Sequence, residues 1–99
     1  MIDFERIEGF DWDAGNAWKN ERHGVSQAEA EQVFFDVAVL VVADVGHSQT
    51  EPRFHALGAS AASRLLHVTF TLRADDTKIR VISARDMHRK ERARYDQKA

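Results

Sequence analysis

Residues 65–73 read Leu-Leu-His-Val-Thr-Phe-Thr-Leu-Arg, and from Leu66 onward apolar and polar side chains alternate without a break. Leu66, Val68, Phe70 and Leu72 fall on one side of such a segment; His67, Thr69, Thr71 and Arg73 fall on the other. A period of two is the mark of a strand with one face buried and one face open. Ala74-Asp75-Asp76-Thr77 then turns the chain, and Lys78 to Ser83 returns it as a second strand. With four residues in the turn, Arg73 pairs with Lys78, Leu72 with Ile79 and Thr71 with Arg80. One face of the hairpin is then Phe70, Leu72, Ile79 and Val81, packed on helices. The other carries His67, Thr69, Thr71, Arg73, Lys78 and Arg80. Arg80 is expected on the solvent side. Like charges facing each other at Arg73 and Lys78 are unfavourable unless an anion or an acidic group lies between them.

The remaining elements are read by the same rules. Phe4 to Phe10 is a candidate edge strand. Asp13 is a helix N-cap and Gly24 a stop, with Ala14, Ala17 and Trp18 as the apolar stripe between them. Ser26-Gln27-Ala28-Glu29 is a capping box, followed by Ala30, Val33, Phe34 and Val37 at helical spacing. Trp18, Phe34 and Phe35 are expected in the core. Val37 to Ala43 is β-branched and short, which predicts a strand buried on both faces. Asp44 to Pro52 reads as a loop and Arg53 to Gly58 as a strand. A one-residue slip in that strand would move Arg53 and His55 to the opposite face. Ser83 with Asp86 resembles a second capping box, so a helix is expected from about Ala84 to Gln97. On it Met87, Glu91 and Tyr95 line one stripe, and Arg85, Arg89, Arg92 and Asp96 another. The expectation is an α+β fold in one domain over residues 1–99. A four-stranded antiparallel sheet is joined by two N-terminal helices and a C-terminal helix, as a two-layer sandwich.

Charge is distributed unevenly. Residues 1–51 carry 3 basic and 11 acidic side chains, whereas residues 52–99 carry 11 basic and 5 acidic ones. Either the basic half faces a polyanion, or the two halves pack together and neutralise each other. Lys19 and Arg22, near a helix C-terminus, also complement the helix dipole. Without cysteine there are no disulfides and no thiolate metal sites. The acidic start of the chain does not read as a signal peptide, and Val37 to Ala43 is too short to span a bilayer. A cytoplasmic protein with no membrane partner is expected.

The five histidines, at 23, 47, 55, 67 and 88, contain no pair at the spacing of a zinc helix. Neither a phosphate-binding glycine loop nor a nucleophile elbow is present. No metal and no cofactor is expected. Metal-free RNA cleavage asks less of a sequence. A base takes the ribose 2′-OH proton, cations stabilise the charged phosphorane, and an acid protonates the leaving oxygen. Arg73, Arg80 and Arg85 suit the second task; His47, Glu51, His67, His88 and Tyr95 are candidates for the others. Lys19, Arg22, Lys78, His88, Arg89 and Arg92 are the expected RNA-binding side chains.

Taken in order, several short segments resemble one family. They are Phe10-Asp11-Trp12-Asp13, Arg22-His23-Gly24-Val25-Ser26, and Asp44 with His47-Ser48, Glu51 and Arg53. Phe70-Thr71-Leu72-Arg73, Ile82-Ser83-Ala84-Arg85, Met87-His88-Arg89-Lys90-Glu91 and Tyr95 follow. Together they are similar to the BrnT toxins of bacterial type II toxin–antitoxin pairs, over about residues 10 to 95. Asn16 and Arg22 stand where many such sequences have Lys. The resemblance implies a small ribonuclease with a RelE-like fold that inhibits translation. It also implies neutralisation by a BrnA-like antitoxin, which carries the DNA-binding part, so that DNA is contacted only through that partner. RelE-like sites use Arg and Lys on the sheet and a Tyr on the last helix, without metal. By position the resemblance points to Arg53, Arg73, Arg80, Arg85 and Tyr95. A second reading is an interaction module without catalysis, whose basic face binds an acidic protein. A DNA-binding domain fits least, for want of an apolar-backed recognition helix.

Overall fold

A computed structural model describes residues 2–17, 23–47 and 51–98, with the side chains of His47 and Lys98 left out of the description. Five strands form one sheet: β1 (Gly9–Phe10), β2 (Leu40–Ala43), β3 (Phe54–Ala59), β4 (Leu65–Arg73) and β5 (Lys78–Asp86). Their order across the sheet is β1-β5-β4-β3-β2. Two helices are described over their length, α1 (Gln27–Val33) and α2 (Arg89–Lys98). A further helical segment begins at residue 14 and is described to residue 17.

The α+β class is as expected, and the hairpin register holds. Arg73 pairs with Lys78, Leu72 with Ile79 and Thr71 with Arg80. The sheet is mixed, however, because β1 runs parallel to β5, pairing Gly9 with Lys78 and Phe10 with Ile79. The expected strand from Phe4 to Phe10 is only this two-residue strand, preceded by a 3₁₀ turn over Phe4–Arg6. Val37 to Ala43 is also corrected. Residues 34–39 form turns held by Phe35 N–H to the Gln32 carbonyl and Val39 N–H to the Asp36 carbonyl. Only Leu40–Ala43 pairs, at the sheet edge, where it is half-buried rather than buried on both faces. Phe35 is 77% exposed instead of lying in the core.

Inside the sheet, β4 and β5 carry a bulge that the alternating pattern does not announce. Thr69 pairs with Ser83 and Phe70 with Val81, which leaves Ile82 as an extra residue. Beyond it the faces of β5 are re-phased. Ala84 joins the core opposite Val68, and Arg85 lies opposite His67 on the polar face. β5 therefore runs on to Asp86, and the expected helix from Ala84 starts only at Arg89. The Ser83–Asp86 cap does not form. Instead the His88 carbonyl accepts from Arg92 N–H at 3.0 Å, and Glu91 Oε1 accepts from His88 N–H at 2.8 Å. Glu91 thus caps its own helix from the third position.

One face of the sheet holds the core. Leu66, Val68, Phe70, Ile79, Val81 and Ala84 are buried there with Val25, Ala30 and Val33, and Phe10, Trp12 and Phe34 pack against them. Phe70 meets Phe34 edge-on at 4.9 Å and stacks on Phe54 at 5.5 Å between ring centroids. Helix α1 begins at Ser26, whose hydroxyl accepts from Glu29 N–H while the Glu29 side chain reaches back, so this capping box is as expected. It lies so close to β3 that a Cβ on Gly58 would sit 2.9 Å from Val33 Cγ1. That approach requires glycine.

The opposite face is only partly covered. Leu57, Met87 and Tyr95 form a second cluster against Ala38, Leu40 and Leu65. Because Leu57 pairs with His67, this cluster shares the polar face. Helix α2 therefore adds a partial third layer at one end, where a two-layer sandwich was expected.

Candidate functional site

The open part of the polar face is a groove of about 430 Å³ lined by Val42, His55, Leu57, His67, Thr69, Ser83, Arg85, Glu91 and Arg94. The strand contributors are placed by sheet register, and Glu91 and Arg94 come from α2. His55 lies opposite Thr69, and His67 opposite Arg85. The two imidazoles come side by side, with ring centroids 4.7 Å apart. No slip occurs in β3, so His55 lies on the polar face.

The His55 ring is held at both nitrogens. His55 Nε2 is 3.0 Å from Asp44 Oδ2, and its Nδ1 is 3.0 Å from Thr69 Oγ1. With a carboxylate at Nε2, the ring proton sits there. His67 is 8% exposed and its Nδ1 is buried without a partner. Burial, and then the Arg85 charge, push His67 down to about 4, against the pull of Glu91. At neutral pH it is an uncharged imidazole. Its Nε2 stands 3.6 Å from Glu91 Oε2.

Arg85 and Glu91 close the groove with a two-pronged pair: Arg85 Nη1 donates to Oε1 at 2.8 Å and Nη2 to Oε2 at 2.9 Å. Burial opposes the charge on Glu91, but the Arg85 fork and the His88 N–H outweigh it and hold the carboxyl at about 2. Glu91 is therefore a carboxylate at all working pH. It joins α2, β5 and the histidine pair at one point.

Arg53, Arg73 and Arg80 line a different groove, of about 330 Å³, with Gly15, Asn16, Glu51, Val81 and Ile82. Arg80 is not on an open solvent face: its side chain is 20% exposed, Nη2 lies 2.8 Å from Asp13 Oδ2 and Nη1 3.5 Å from Asp11 Oδ2. Asp13, which also caps the helical segment through Asn16 N–H, is lowered by that backbone bond first and by Arg80 second. Arg73 Nη2 reaches Glu51 Oε2 at 3.2 Å, which supplies the acidic group that the facing Arg73 and Lys78 call for. Arg64 is bound by Asp86 at 2.8 Å and Glu29 at 3.3 Å. The acidic half thus neutralises much of the basic sheet. Asn16 works here as a structural residue. Its Nδ2 donates to the Val81 carbonyl at 3.0 Å, continuing the edge that Asp11 N–H occupies at Ile79.

Tyr95 does not line either groove. It is buried, its hydroxyl donates to Asp36 Oδ2 at 2.6 Å, and that bond, then burial, pushes it up to about 12. Asp36 also accepts from Ala59 and Ala38 N–H, so it ties α2 to the β2–β3 corner. Lys19 and Arg22 lie outside the described residues, as does the side chain of His47. Lys78 is half-buried beside Gly9, and His88, Arg89 and Arg92 are exposed on or beside α2. His55 and Glu91 were not among the expected site residues. The alternation of His67 with Thr69, and a Glu three residues past His88, are the signals that point to them. Among the described residues no three His, Asp or Glu come together as a metal-holding group. None of the described helices is long and apolar enough to cross a membrane.

No curated protein matches the chain at a significant level. Residues 12–91 match the family described as the ribonuclease toxin, BrnT, of type II toxin-antitoxin systems. That span runs from Trp12, at the entry to the Asp13-capped segment, through every strand of the polar face to Glu91, and the chain belongs to the BrnT family of ribonuclease toxins.

Proposed function

We propose that the protein is a metal-independent endoribonuclease working in the His55–His67–Arg85–Glu91 groove. The observation that carries this reading is the adjacent, mutually tilted pair of imidazoles beside an arginine fork on one sheet face. His67, uncharged at neutral pH, accepts the ribose 2′-OH proton. The freed O2′ attacks phosphorus, the P–O5′ bond breaks, and a 2′,3′-cyclic phosphate remains. Arg85 neutralises the charge that develops on the phosphorane. His55, braced by Asp44 and Thr69, enters the step as imidazolium and gives its Nδ1 proton to the departing O5′ in place of Thr69. To reach Arg85, the phosphate displaces one oxygen of Glu91. Cleavage of messenger RNA inhibits translation, and a BrnA-like antitoxin neutralises the toxin and links the pair to DNA.

The occupied state of Arg85 favours a second reading, an interaction module that binds an acidic protein without turnover. Purified protein with RNA and excess EDTA separates them. The proposal expects cleavage to cyclic-phosphate ends, and growth arrest when the chain is expressed alone. Intact RNA in EDTA that is cut once a divalent ion is restored would overturn metal independence. Intact RNA under every condition, with tight binding to an acidic protein, would leave the second reading.

A further inference from the structure

Among the described residues, four arginines on or beside the sheet are held by carboxylates: Arg64 by Asp86 and Glu29, Arg73 by Glu51, Arg80 by Asp13 and Asp11, and Arg85 by Glu91. Four cations of α2 are not. Arg89, Lys90, Arg92 and Arg94 are all exposed and make no ion pair among the described residues. The helix is fixed from beneath, by Glu91 on Arg85 and by Tyr95 on Asp36. Among the described residues, its outer side carries these cations with Ala93, Asp96 and Gln97.

Arg94 makes this row continuous with the groove, which it lines together with Glu91 and His67. From Arg89 to Arg94 the helix rises about 7.5 Å at roughly 1.5 Å per residue, a length that bridges neighbouring phosphates rather than one. A protein interface is centred on buried aromatic or aliphatic anchors. The outer side of α2 offers none. Unpaired charge without apolar surface fits a phosphate backbone, which is bound through cations and released counterions.

We propose that the outer side of α2, through Arg89, Lys90, Arg92 and Arg94, is the binding surface for the part of a single-stranded RNA that runs outside the catalytic groove. The proposal rests on the nuclease reading for the direction of the strand. It does not depend on cleavage for its test. The paired sheet arginines then serve folding and chemistry, and the helix supplies capture.

The probe is a fluorescent 2′-O-methyl RNA of about 20 nucleotides, which binds but cannot be cut at its 2′ positions. Affinity is measured by anisotropy over a range of salt for the wild type, for Arg89→Gln/Lys90→Gln/Arg92→Gln, and for Arg6→Gln as an exposed control remote from α2. The triple variant is expected to bind at least tenfold more weakly. Its slope of log K against log salt is expected to shrink by about 2, at roughly 0.7 per lost phosphate contact on a single strand. Arg6→Gln is expected to bind as the wild type does, and all three are expected to melt alike. A triple variant with wild-type affinity and slope would overturn the proposal, as would an equal loss in Arg6→Gln. Retained RNA affinity with lost binding to poly-glutamate would also overturn it and assign the surface to an acidic protein. Loss of RNA affinity in a protein that never cleaves RNA would uphold this surface while removing the nuclease reading.

Discussion

The two faces of the sheet are made by the same strands, yet they follow opposite rules. On the inner face Leu66, Val68, Phe70, Ile79, Val81 and Ala84 are sealed against α1 and the N-terminal segment. Removing that much apolar surface from water is what stabilises the fold. On the outer face polar side chains are also drawn out of water, but less completely served. Thr71 is 1% exposed and bonded to the Pro52 carbonyl, whereas His67 keeps a buried Nδ1 with no partner. An unsatisfied buried polar atom costs about 1–3 kcal/mol. The difference teaches that the outer face is not simply the wet side of a sandwich. It holds a strained electrostatic arrangement that the inner face has the stability to support.

The most drastic way to break the comparison is to insert one alanine between Ser83 and Ala84. The bulge at Ile82 puts Ala84 inward and Arg85 outward. The inserted residue would take the place of Ala84 opposite Val68 and direct Arg85 into the core opposite Leu66, and the expected result is loss of the folded state, read by circular dichroism and amide NMR dispersion.

A smaller effect tests the buried imidazole. The folded pKa of His67 lies below its ordinary 6.5, at about 4, so the neutral ring is the form that folding favours. Stability is then full above pH 6.5 and declines as pH falls toward 4, by on the order of 2–3 kcal/mol. Glu91, held at about 2, extends the decline, because its contribution is present above its ordinary 4.5 and is lost as pH falls toward 2. Urea unfolding of His67→Gln should lose the slope between pH 6.5 and 4 while keeping the one below. A variant with the wild-type profile throughout would mean that His67 titrates freely.

The smallest effect belongs to Arg73. Its side chain is 44% exposed, and a pair of that kind with Glu51 contributes under about 1 kcal/mol. Arg73→Gln is expected to unfold at nearly the wild-type urea concentration.

Much of the fold is legible in the sequence where the pattern is local. The β4–β5 register follows from the alternation of Leu66 to Arg73 and a four-residue turn, and the Ser26 capping box marks the start of α1. What misleads is decided at long range. The bulge at Ile82 changes which residues are neighbours without changing the local composition, so Arg85 reads as helical. Val37 to Ala43 is uniformly apolar, and only its edge position shows that Val37 is left in a turn. The site was half legible. The demand for a base, an acid and cations indicated His67 and Arg85. The ring contact of His55 with His67, and the capture of Arg80 by Asp11 and Asp13, depend on segments brought together only by folding. The charge asymmetry carried both readings, and the ion pairs across the two halves show neutralisation on the sheet.

The central claim is that RNA is cleaved in the histidine groove rather than among Arg53, Arg73 and Arg80. The most direct measurement is the cleavage rate of one RNA in excess EDTA by the wild type, Arg85→Gln and Arg73→Gln. The account predicts a loss of about 100-fold or more for Arg85→Gln, as for removal of a group that stabilises transition-state charge, and a rate near wild type for Arg73→Gln. Full activity in Arg85→Gln, with the loss falling on Arg73→Gln instead, would contradict it.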